Sequence, residues 1–86
     1  MNPMTLHIIR QASDGQAVHT AEQQAASGRH VALLLLQDAA RAGVKSHLPT
    51  FVCADDLPAS GQSPCERVDY DRIAQLIDEA EKVVCW

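Results

Sequence analysis

Val31-Ala-Leu-Leu-Leu-Leu36 is six consecutive apolar residues with no polar alternation. A strand with one wet face alternates; a strand covered on both faces does not. The run is far below the roughly 20 residues of a membrane span. It therefore reads as the central strand of a mostly parallel sheet with helices on both sides. Every other segment has to be fitted around it.

Leu6–Arg10 (Leu-His-Ile-Ile-Arg) reads as a first buried strand, with His7 near a sheet face. Ser13 and Gln16 have capping-box spacing, Ala17, Val18, Ala21 and Ala25 share one helical face, and Gly28 sits where a C-cap glycine belongs. These signals predict a helix over Gln16–Ser27. Gln37 and Asp38 end the central strand, and Ala39–Ala42 form one helical turn stopped by Gly43. Thr50–Cys53 is a third strand, Ala54–Pro58 a turn or short helix, and Ala59–Pro64 a Ser/Gly/Pro loop. Asp69 is an N-cap, with Asp71 in the first turn and Ile73, Leu76, Ile77 and Ala80 at i, i+3, i+4 and i+7. Asp78 and Lys82 are spaced as a supporting i, i+4 pair, and Val83–Cys85 is a last strand ending at Trp86. Strands alternating with helices predict a three-layer α/β/α domain with a small, mostly parallel sheet of four or five strands. No repeat or linker divides residues 1–86, so one domain is expected.

Charge and size narrow the function classes. Seven Lys+Arg against 11 Asp+Glu give a formal charge of −4, and no basic cluster exists for nucleic acid. The N-terminal residues have no basic stretch followed by a long apolar one, so a cytoplasmic protein with no membrane partner is expected. A chain this short buries only about 60–65% of its unfolded surface. With three aromatics and three cysteines that cannot all pair, oligomerisation is the expected support.

In open α/β sheets, ligands bind beyond the carboxyl ends of the strands. The residues there are Gln11–Gly15, Gln37–Asp38, Cys53–Asp56 and Trp86. Ser13-Asp14-Gly15 has neither a phosphate-binding glycine pattern nor a lysine and reads as a capped turn. Asp38 lacks the acidic pair and lysine of a phospho-acceptor site. Cys53 beside Asp55 and Asp56 has nothing to stabilise a thiolate and reads as a buried thiol. Cys65, next to Glu66-Arg67, is the more exposed thiol candidate, and Cys85 lies in an apolar strand and reads as inert. Histidines 7, 19, 30 and 47 show no metal-ligand spacing, so neither metal nor cofactor is expected. Trp86 has to pack, either over the core edge or in a subunit interface.

Several motifs then fall in order: Leu6-His7, Leu34-Leu35-Leu36-Gln37-Asp38, Asp56-Leu57 with Gly61, Val68-Asp69-Tyr70 with Ile73 and Leu76, and Trp86. From about Met4 to Trp86 the chain resembles the DsrH/TusB-like family of sulfur-relay subunits. The resemblance implies a DsrE-type α/β fold. It also implies assembly with DsrE/TusD-like and DsrF/TusC-like sister subunits that pass sulfur as a cysteine persulfide, towards tRNA wobble 2-thiouridine or within sulfur oxidation. Residues 16–27 lack the cysteine that members from sulfur oxidisers carry in the first helix, as in the tRNA-thiolation branch. The resemblance thus implies a non-catalytic component, with Gln37, Asp38, Asp69, Tyr70 and Trp86 as interface candidates. A small homodimeric binding module and an active carrier using Cys53 or Cys65 are the alternatives.

Overall fold

A computed structural model describes residues 4–11, 15–42, 46–56 and 66–86. Five strands, β1 (Met4–Ile9), β2 (His30–Leu35), β3 (Thr50–Cys53), β4 (Glu66–Val68) and β5 (Lys82–Cys85), form one all-parallel sheet in the order β4-β3-β2-β1-β5. Helices α1 (Gly15–Ala26), α2 (Gln37–Ala42) and α3 (Tyr70–Glu79) follow β1, β2 and β4 in the chain.

The apolar run lies at the middle of the sheet, where Leu33, Leu34 and Leu35 are 0% exposed. Alternate residues of β2 feed two separate cores. Leu33 and Leu35 join Ile9, Val52, Ala17 and Ala21 of α1, and Ala39 and Ala40 of α2. Ala32 and Leu34 join Leu6, Ile8, Val68 and Leu76 of α3. Chain direction explains the layering. The path steps one way from β1 to β4, then crosses back to β5 on the other side of β1. Right-handed crossovers in opposite directions put their helices on opposite faces.

Local signals act where the sequence places them. Gly28 takes φ +94°, a conformation that favours glycine, and its N–H closes α1 on the Ala25 carbonyl at 3.0 Å. The Asp69 carboxylate accepts from the Arg72 N–H at 2.8 Å and caps α3, an interaction worth about 1 kcal/mol.

Four expectations need correction. The central strand ends at Leu35, and α2 begins at Gln37 because Gln37 itself turns the chain with φ +54°. Asp78 and Lys82 do not share a helix: α3 stops at Glu79, the Ala80 N–H bonds to the Leu76 carbonyl, and Lys82 opens β5. β4 is an additional strand. Its Glu66 and Arg67 are exposed and only Val68 is buried, as suits a short charged edge that resists further pairing. Cys85 lies in the expected strand but is exposed, not covered as its apolar neighbours suggest, because β5 is an edge strand. The Ser13 cap, the Gly43 stop, the 59–64 loop and Cys65 lie outside the described residues.

Candidate functional site at the carboxyl rim

The sheet order reverses between β1 and β5, so the ligand crevice of an open α/β sheet would fall at their carboxyl ends. Trp86 occupies that position. Its backbone N–H continues the β5 ladder onto the Ile8 carbonyl at 3.0 Å, and its own carbonyl accepts from Arg10 Nε at 3.0 Å. Its indole Nε1–H donates to His7 Nδ1 at 3.0 Å. His7 Nε2 in turn meets Gln24 Oε1 of α1 at 2.8 Å. Indole nitrogen can only donate, so Nδ1 is the acceptor and the proton of the neutral ring sits on Nε2, donating to Gln24.

This clasp gives His7, 0% exposed, a partner at each ring nitrogen. Its side chain follows from register. His7 alternates with Leu6 and Ile8, so it faces α1, and Gln24 lies on the α1 face that carries Ala17 and Ala21. Both ring nitrogens are committed and the ring is enclosed, so His7 offers no free nitrogen to a ligand.

A second group lines the rim of β2, β3 and β4. The Gln37 N–H donates to Asp56 Oδ2 at 2.9 Å, which holds the left-handed Gln37 backbone against the Ala54–Asp56 3₁₀ turn. Asp38 is exposed and pairs with Arg41 at 3.8 Å. Cys53 is 1% exposed at the end of β3. Burial pushes its thiol above the ordinary cysteine range. The backbone N–H groups of Asp55 and Asp56 oppose that shift without cancelling it, and the Asp56 carboxylate adds to it. Tyr70, 66% exposed, has its phenol pushed up by the Asp55 carboxylate first and by the Cys53 thiol second. Asp69 caps α3 beside it. Acidic groups therefore dominate this rim. It disfavours a thiolate and repels phosphate.

Of the residues singled out from sequence, Gln37, Asp38, Cys53, Asp69 and Tyr70 fall along this rim, while Trp86 stands apart at the β1–β5 end. The clasp of His7, Gln24 and Arg10 around Trp86 was not anticipated. Its one visible signal is a histidine inside an apolar strand. No group of His, Cys, Asp and Glu among the described residues is arranged to hold a metal ion. No helix among them is long and apolar enough to cross a membrane. Comparison with protein families, with curated proteins and with solved structures gives no match for this chain.

Proposed function

We propose that this chain is a non-catalytic subunit of a sulfur-relay complex, supporting persulfide transfer between sister subunits for tRNA wobble 2-thiouridine synthesis or sulfur oxidation. The ordered motifs that resemble the DsrH/TusB-like family suggest the system, and the small parallel α/β fold agrees with what that resemblance implies. The observation that supports the non-catalytic part is the state of Cys53, one of the two thiols a carrier would use, the other being Cys65. A sulfur carrier attacks as a thiolate and needs an accessible thiol of lowered pKa. Cys53 is enclosed, and its pKa is shifted the opposite way.

A docking role is supported by the outside of the α3 face. Ile77 is 43% exposed, Val83 is 36% exposed, and Tyr70 opens the same helix. Affinity capture of the tagged full chain from native lysate tests the proposal. Co-recovery of DsrE/TusD-like and DsrF/TusC-like subunits supports it, and recovery of neither overturns it. The unpaired edge of β5 favours a second reading, a homodimeric binding module joined along that strand. Light scattering that finds a stable dimer of the purified chain, together with empty captures, would select it.

A further inference from the structure

The opposite end of the sheet carries a feature that neither sequence motifs nor the carboxyl rim account for. At the amino ends of β5, β1 and β2 an open cavity of about 590 Å³ is lined by Thr5, Gly28, Arg29, His30, Glu81 and Lys82. Register builds it. Thr5 sits opposite Lys82, Met4 sits opposite His30, and the Glu81 N–H bonds to the Met4 carbonyl at 2.8 Å. A second hollow of about 400 Å³ shares Arg29 and His30 as its wall and continues over Met4, Leu48, Pro49 and Phe51. Together they form a groove with a cationic lobe and an apolar lobe, in the size range of small-molecule sites.

Among the described residues, the cations in this groove are the uncommitted ones. Arg10 is held by the Trp86 carbonyl, Arg41 by Asp38, and Arg72 by Gln75 and Glu79. Arg67 is also engaged. Among the described residues, Arg29 and Lys82 have no ion pair or side-chain hydrogen bond, and both line the same cavity. This stands out on a chain of net charge −4. The nearby C-terminal carbonyls of α1 are satisfied from within the chain. The Ser27, Gly28 and Arg29 N–H groups and the Ser27 hydroxyl reach the carbonyls of residues 23–25, so the helix end presents few free acceptors to a ligand.

We infer that this groove binds a small phosphate monoester with an apolar body, its phosphate between Arg29 and Lys82 and its body over Phe51, Leu48 and Met4. The Thr5 hydroxyl, on the same sheet face as Lys82, is a further hydrogen-bonding group for the phosphate oxygens. Glu81 offsets one of the two cations, which leaves one net positive charge for a single phosphate and disfavours polyphosphates. The inference stands independently of the sulfur-relay reading.

Titration of the isotope-labelled full chain with phenyl phosphate, followed by amide chemical shifts, tests it. Saturable shifts at residues 5, 28–30 and 81–82, extending to 48 and 51, are expected. Inorganic phosphate should move the first set only and bind more weakly. The R29Q/K82Q variant, altered at two exposed side chains, should keep its spectrum elsewhere and lose about tenfold or more in affinity, as for charge-assisted hydrogen bonds. Any one of four results overturns the inference: no saturation at millimolar phenyl phosphate, shifts centred on other residues, unchanged affinity in the variant, or equal binding of benzyl alcohol.

Discussion

The two faces of the sheet are finished differently. On the α1/α2 side, alanines at 17, 21, 39 and 40 bring the helix backbones close to β1, β2 and β3, and the clasp of His7, Gln24 and Trp86 seals the end. On the other side, among the described residues, α3 alone covers the strands. One helix about 10 Å wide spans roughly two strands at about 4.8 Å spacing. Its buried anchor is Leu76, with Ile73 and Ala80 half-buried, while Ile77 and Val83 stay in contact with water. The first face is closed by the chain itself. The second keeps apolar surface in reserve, which is what a subunit needs if another chain is to complete its core.

The contrast can be broken most severely at the closed face. Leu35→Ala should cost about 2–5 kcal/mol in urea unfolding, since the side chain is fully enclosed on a central strand. A cost below about 0.5 kcal/mol would mean that β2 is not central. His7→Ala should cost about 2–3 kcal/mol, because the indole N–H and the Gln24 amide lose their buried partner. Quenching or shift of the Trp86 fluorescence in this variant would report the loosened clasp. An unchanged unfolding midpoint and spectrum would show that Trp86 is held without His7.

At the open face the isolated chain should hardly respond. Ile77→Ser and Val83→Ser are expected to change its stability by about 0.5 kcal/mol or less, yet to weaken capture of partner subunits. Large destabilisation with unaltered capture would reassign both residues to the core. The smallest effect concerns Cys53. Its thiol is harder to ionise in the folded chain than in the unfolded chain. Below the unfolded value of 9.0 both states keep the proton, and the shift contributes nothing to pH dependence. Above it the unfolded chain releases its proton first, so stability should fall as pH rises from there towards the folded value. The same scan on Cys53→Ala should lack that component.

Much of this architecture is legible in the chain. Val31–Leu36 announces a doubly covered strand, Gly28 and Asp69 mark helix ends by their own chemistry, and the 3.6-residue spacing of Ile73, Leu76 and Ile77 outlines α3. β4 escapes because three residues, two of them charged, carry no period; what recruits them is the edge of β3. Cys85 misleads for the reverse reason. Its neighbours are apolar, but exposure depends on strand order, and β5 is an edge. The Trp86 clasp and the Arg29/Lys82 groove join residues more than 50 positions apart, so only the parallel register brings them together.

The central proposal is that this chain helps partners pass sulfur and does not carry it. Native mass spectrometry of the complex, isolated after incubation with a cysteine desulfurase and cysteine, tests it most directly. The account predicts this chain bound to sister subunits, with the mass of an added sulfur atom on a sister and on none of Cys53, Cys65 or Cys85. Added sulfur on any of those three thiols, removed by its serine substitution, would contradict it.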